Sequence, residues 1–550
     1  MNDAAPASTA FPPGSILALG FGTTVAMWGA AYLCRLPGVQ APSELLATLF
    51  VLCLLGGGVL AGRWLGGLQA GLRVGALASL LNLLILGSVL KQAQSFEGFA
   101  APESAVRLHA GERVLGETKA DARGHFQLSV SLRGVEGALR AEAQAPAPKA
   151  KAGEEAPAPL PWQAGADFEA GELGSEPLRP EAPPAAGEPP RVQRFVNHQG
   201  LAGVWLPATL AFGALLAALG AQLAPSPPPS RPVPTNWTSA FSRVAVFATL
   251  LLVGAGGLVT SNDAGLAVPD WPNSYTSNMF LYPLSRMTGG IYYEHTHRLF
   301  GSLVGLCTLV LAFLLWRREE RSWVRRLGAL AFVLVCVQGL MGGLRVTGHL
   351  TLSADAAELS PSLALALVHG VTGQLFFALL VGMSAIVSTT WLEHVLPERE
   401  AEAAAVGEET RSLAGWMVVL MVAQLTLGAL VRHFHISVTL HVTGAVAVAI
   451  LGGVVGVKAW GTHSEEPLLP RLGLSMLALV CLQFLLGVAA LATTADESAF
   501  LARFQAPVTT LHQTCGALLL GAAVLLWVWT CRLFPDAGAK AAAEAPAEVL

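Results

Sequence analysis

Charge is scarce in this sequence. Asp, Glu, Lys and Arg make up 13% of its 550 residues, where a typical soluble domain carries about 25%, so there is too little polar surface to clothe one large water-soluble globule. A basic surplus is missing as well. The 33 Lys and Arg against 37 Asp and Glu leave a net charge of −4, which excludes the electrostatic footprint of a nucleic-acid binder. Cysteine is sparse and badly placed for cross-links: Cys34, Cys53, Cys307, Cys336, Cys481, Cys515 and Cys531 all fall within or at the end of long apolar stretches. Neither a disulfide framework nor a zinc site is legible. The first apolar stretch has no basic leader, Asp3 being the lone charge before it, and it reads as a retained anchor rather than a signal peptide.

What is plentiful is uninterrupted apolar sequence. A bilayer core needs roughly 20 apolar residues in a helix, and twelve such runs lie near residues 15–34, 45–62, 70–90, 200–224, 244–262, 297–316, 327–345, 363–388, 412–431, 438–457, 472–492 and 508–531. They are continuously apolar, so helices are expected and not the alternating strands of a barrel. Short loops rich in Lys and Arg stay in the cytoplasm, and Arg317, Arg318, Arg321, Arg325 and Arg326 crowd one loop. Alternating outward from it places both termini in the cytoplasm and residues 92–199 outside.

That outer insertion reads as two parts. Residues 92–140 carry short alternating runs, Ala105 to Leu108 and Phe126 to Leu132, separated by Gly-containing turns, which predicts a small β-sandwich-like module. Residues 141–199 are rich in Ala, Pro and Glu and read as a disordered tether. Residues 200–239 then supply the fourth span and a linker.

The last eight spans repeat. His297, His369, His441 and His512 are separated by 72, 72 and 71 residues, each toward the outer end of a span that runs inward. Gly301, Gly373 and Gly516 follow their histidines by four residues and Gly444 by three, while Gln338, Gln424 and Gln483 recur in the preceding spans. Each repeat is thus a helical hairpin. The expected architecture is an all-α polytopic membrane protein: an eight-helix bundle of four hairpins in two halves, 240–390 and 412–532, with a cytoplasmic linker over 391–411 and a tail over 533–550. Four N-terminal transmembrane helices, three of them within 1–91, and the extracytoplasmic β domain complete it.

Ionisable side chains inside a membrane are expensive and normally face a partner. Four histidines at one depth can serve two haems, each iron held by two imidazoles on opposite faces of a planar macrocycle, with the following glycine leaving room for the ring. Copper or zinc also suits imidazole, but those metals want carboxylates or thiolates nearby, and only Cys515 beside His512 offers one. Haem is the preferred ligand. Glu294 and His297 share a helix face, which sets a carboxylate beside the first histidine; a simple ion pair with Arg298 is the alternative. Arg298, Arg345 and Arg432 are read either as haem propionate contacts or as interface anchors. His295 points off the histidine face and receives no role.

Through Gly257-Leu258-Val259-Thr260, Asp270-Trp271-Pro272, Glu294-His295-Thr296-His297-Arg298, Gln338 to Thr347 and the later histidines, the chain resembles the haem A synthase family. The resemblance implies a membrane oxidoreductase that converts a methyl group of haem O to the formyl group of haem A for terminal oxidase assembly. It further implies that His297 and His369 hold the substrate haem, that His441 and His512 hold a haem b cofactor, and that Glu294 acts at the substrate. Expected surroundings are the bacterial inner membrane, a quinol or other electron donor, haem O synthase and oxidase assembly factors, and a possible homo-oligomer. The cysteine pairs that many members carry in outer loops are absent, and the N-terminal 225 residues are extra. The competing readings are a dihaem b electron carrier from quinol to an outer acceptor, and a haem chaperone or transporter.

Overall fold

The computed structural model describes residues 11–535, apart from 91–92, 122–123, 131, 133–134, 136, 147–159, 174–181, 199–201, 225–235, 276, 348–361, 396–399, 464 and 496–498. The tail expected over 533–550 thus falls almost entirely outside the described residues. Two compact units emerge, one from residues 1–86 with 209–550 and one from 87–208.

The larger unit is helical. Its helices are α1 (Ser15–Arg35), α2 (Ser43–Leu65), α3 (Leu68–Leu90), α4 (Ala202–Gln222), α5 (Trp237–Ser261), α6 (Gly289–Arg318), α7 (Ser322–Val346), α8 (Leu363–Ile386), the short α9 (Thr389–Glu393), α10 (Ala401–Phe434), α11 (Val438–Gly461), α12 (Leu468–Ala495) and α13 (Ala499–Leu533). Among the described residues eleven helices are long and apolar enough to cross a membrane, and the apolar part of α4, Leu206–Gln222, is shorter. Trp316, Leu340, Trp416, Ile450 and Leu485 stand exposed on their helices. Such apolar surface is a liability in water and ordinary against lipid, and the chain is a multi-pass membrane protein. Helix α10 begins inside the expected linker, because 401–406 is almost wholly Ala and Glu, both strong helix formers.

Successive helices pack on one another, α5 on α6, α6 on α7 and α7 on α8, and again α10 on α11, α11 on α12 and α12 on α13. Helix α13 also packs on α5 and α8, and α10 on α8, which joins the halves. Ser261 and Thr509 share a hydrogen bond of 3.0 Å across the α5–α13 seam.

The N-terminal helices are part of this body. Phe21 meets Phe241, Trp28 meets Phe300 and Tyr32 stacks on Tyr292, while the Tyr292 hydroxyl donates to the Tyr32 carbonyl at 2.6 Å. Helices α2, α3 and α4 close on small residues. A Cβ added to Gly58 would lie 2.0 Å from the Ala217 carbonyl oxygen, and one on Gly75 2.1 Å from that of Gly213. Small side chains let membrane helices approach this closely.

The smaller unit is a two-sheet sandwich. Its strands are β1 (Ala93–Phe99), β2 (Ala105–Ala110), β3 (Arg113–Lys119), β4 (His125–Val130), β5 (Leu139–Gln144), β6 (Gln163–Phe168) and β7 (Arg191–His198). They form sheets ordered β4-β1-β7 and β3-β2-β5-β6, all antiparallel, over a shared core of Phe96, Leu108, Leu128 and Leu139. This corrects the tether expected over 141–199. Strands β6 and β7 lie inside it, and β7 pairs along the whole of β1, with Phe195 stacked on Phe96 at 4.7 Å. The stretches 147–159 and 174–181 of that segment lie outside the described residues.

Candidate functional site

Hairpin pairing brings the repeated histidines together two by two. The rings of His297 on α6 and His369 on α8 have centroids 6.4 Å apart with planes at 82°. Those of His441 on α11 and His512 on α13 stand 6.3 Å apart at 86°. Two imidazoles bound to one metal ion, at about 2.0 Å per nitrogen and with about 1.1 Å more from nitrogen to ring centre, would have centroids about 6.2 Å apart. Both pairs have that separation. Among the described residues no group of three or more His, Cys, Asp or Glu could hold a metal. Each pair thus offers an ion two imidazoles and no third such ligand among the described residues.

Each ring is seated by the preceding helix. A Cβ added to Gly256, Gly428 or Gly487 would come within 3.0–3.1 Å of Cε1 of His297, His441 or His512, and one on Gly342 within 3.6 Å of Cε1 of His369. Four residues before three of these glycines stands a glutamine. Gln424 Nε2 lies 3.1 Å from His441 Nδ1 and donates to the His441 carbonyl at 2.8 Å. Gln483 Nε2 lies 3.5 Å from His512 Nε2. The Gln338 amide, with its oxygen and nitrogen exchanged, lies 3.0 Å from His369 Nδ1. The glycines that follow the histidines make room for these amides: a Cβ on Gly444 would collide with Gln424 Oε1 at 2.3 Å, and one on Gly516 would approach Gln483 Nε2 at 3.2 Å. The sequence repeat showed both the glutamines and the glycines, and the structure joins them to each other.

A carboxylate stands one helical turn before His297 on α6. Glu294 is buried, and its Oε1 accepts from Arg298 Nε at 3.0 Å, each side chain about 8% exposed. The remaining donors of Arg298 hold the segment before α6: Nη1 donates to the carbonyls of Asp270 and Asn273, at 2.6 and 3.0 Å, and Nη2 to that of Val268 at 2.7 Å. Four of its five N–H groups are thus committed within the chain. Trp271 on the same segment lies over α7, where a Cβ on Gly343 would meet the indole at 2.4 Å. Two short strands, β8 (Asn273–Ser274) and β9 (Ser277–Asn278), form its tip. His295 faces this loop and not the pair, sharing a hydrogen bond with Ser274 Oγ at 3.0 Å. Burial holds the Tyr282 phenol above its ordinary range, so it stays neutral; the Tyr275 hydroxyl donates to the Ala267 carbonyl at 2.6 Å.

Residues 277–439 match the COX15-CtaA family, described as cytochrome oxidase assembly protein. No curated protein matches the chain. The family match spans Glu294, His297, Arg298, Arg345, His369 and Arg432 and ends just before His441, so the second pair stands on its geometry. Arg298 and Arg345 are both within electrostatic reach of His297. Arg345 packs its guanidinium on Gly265, and its buried Nε has no hydrogen-bond partner. Arg432, on α10, is within reach of Asp263 in the first half.

Proposed function

We propose that this protein is a haem A synthase-like oxidoreductase of terminal oxidase assembly, with haem O held between His297 and His369 and haem b between His441 and His512. The observation that carries the reading is the pair of imidazole separations, 6.4 and 6.3 Å, together with the buried Glu294 one helical turn before His297. The residues fit the groups: each imidazole pair would hold one iron, whose other ligands the porphyrin would supply. Haem b, when bound, gives a one-electron relay across the half-bundle interface. Glu294, one helical turn before His297, would hold or move a proton at the bound substrate. Arg298 holds the loop that covers this end and excludes water, which leaves Arg345 and Arg432 as the guanidinium contacts for propionates. The Lys and Arg asymmetry of the loops supports cytoplasmic termini, and a bacterial inner membrane is the setting of this reading.

The near-equal geometry of the two pairs favours, as a second reading, a dihaem b electron carrier from a quinol to an outer acceptor. Co-expression with a source of haem O, followed by extraction and chromatography of haems, separates the two. Haem A formed by the wild type and absent from Glu294→Gln and His297→Ala supports the synthase. Haem O left unchanged by the wild type overturns it. Two equivalent b haems, indifferent to Glu294→Gln, establish the carrier.

A further inference from the structure

The four hairpins differ at one position. Four residues before the ring-seating glycine, three of them carry Gln338, Gln424 and Gln483, and the first carries Leu252. The consequence is local. His297 meets this position through the Leu252 backbone alone, inside helix α5, and its Nδ1 has no hydrogen-bond partner; His369 and His441 each have a glutamine amide at Nδ1, and His512 has one at Nε2 with its own Nδ1 unpartnered. The partner glycine tells the same story. Gly373, Gly444 and Gly516 each lie against a glutamine side chain, whereas a Cβ on Gly301 would meet nothing within 4 Å.

A primary amide serves an imidazole in either state. Its NH2 donates to a bare ring nitrogen, and after a half-turn its carbonyl accepts from a ring N–H, the form an imidazole takes when its other nitrogen binds a metal. Leucine does neither. Outer partners of this kind fix ring orientation and raise ligand basicity, and their loss typically costs about 10–100-fold in metal affinity. Resting on the assignment of the pairs as haem ligands, we infer that Gln338, Gln424 and Gln483 are positioning residues, and that Leu252 leaves His297 as the exchangeable ligand, the imidazole that releases the porphyrin when substrate enters and product leaves. A resident cofactor calls for two tethered ligands, and the second pair has them. A substrate pair needs one that lets go.

The test is haem release from the full-length protein, loaded with iron protoporphyrin and mixed with excess apomyoglobin as acceptor. The wild type releases haem in two phases, the fast one from the His297 pair. Leu252→Gln, whose amide enters the space at Gly301, slows the fast phase about 10–100-fold. Gln424→Leu speeds the slow phase by a similar factor, and Gln424→Glu restores retention while lowering the reduction potential of that haem, a shift that a purely structural role would not give. Should Leu252→Gln fail to fold, Gln338→Leu reads the same site by accelerating the fast phase. Loaded haem whose phases ignore these substitutions overturns this inference alone. A wild type that binds no haem removes the proposed function with it.

Discussion

Replacing Arg298 by methionine separates two jobs that one guanidinium performs. Its Nη atoms hold the carbonyls of Val268, Asp270 and Asn273, and its Nε neutralises the buried Glu294. Hydrogen bonds to a charged donor contribute about 1.5–3 kcal/mol each; counting only the two sheltered ones, to Val268 and Asp270, at the lower figure gives about 3 kcal/mol, or roughly a hundredfold in the loop-opening constant. Hydrogen–deuterium exchange of the amides over 264–282 should therefore quicken by about that factor in Arg298→Met. Breaking the buried pair from one side also strands a carboxylate, at about 3–5 kcal/mol of overall stability. The double variant Glu294→Gln/Arg298→Met removes that charge, so it should regain much of the global stability in a detergent unfolding assay while its loop still exchanges fast. Wild-type exchange rates in the single variant, or a double variant no more stable than the single, would refute the reasoning.

Two further outcomes follow from close contacts. Gly343→Ala drives a methyl into the Trp271 indole, while Gly342→Ala meets His369 Cε1 at an ordinary 3.6 Å; overpacking costs about 1–3 kcal/mol, so limited proteolysis of the loop and loss of haem A formation should mark the first and spare the second. Gly58→Ala sets a methyl 2.0 Å from the Ala217 carbonyl oxygen, with no flexible side chain to yield, and Gly56→Ala meets nothing within 4 Å. Cysteine cross-linking between α2 and α4 should weaken in the former and persist in the latter.

The bundle was legible because bilayer thickness fixes helix length, and a hairpin repeated at near-constant length carries His297, His369, His441 and His512 to matching places. The pairing of spans into hairpins and the Glu294–Arg298 pair both lay within reach of spacing rules. The role of the repeated glycines did not. Gly373, Gly444 and Gly516 looked like space for a flat ring, and they lie instead against the glutamines, because which neighbour fills a gap is a tertiary fact. Strand β7 was hidden for a different reason. Arg191–His198 pairs with a strand almost a hundred residues earlier, and the Ala and Pro around it set the composition of the whole window. The docking of α1 on α5 and α6 rests on Phe21, Trp28 and Tyr32, residues indistinguishable in sequence from lipid-facing aromatics.

The central claim is that each histidine pair clasps one iron, and electron paramagnetic resonance of the oxidised protein tests it most directly. Ring planes at 82° and 86° predict the highly anisotropic low-spin signal of two nearly perpendicular imidazoles. The share due to the second pair should vanish in His441→Ala and in His512→Ala and survive in His297→Ala. A high-spin signal in the wild type, or a low-spin signal indifferent to all four histidines, would contradict the account.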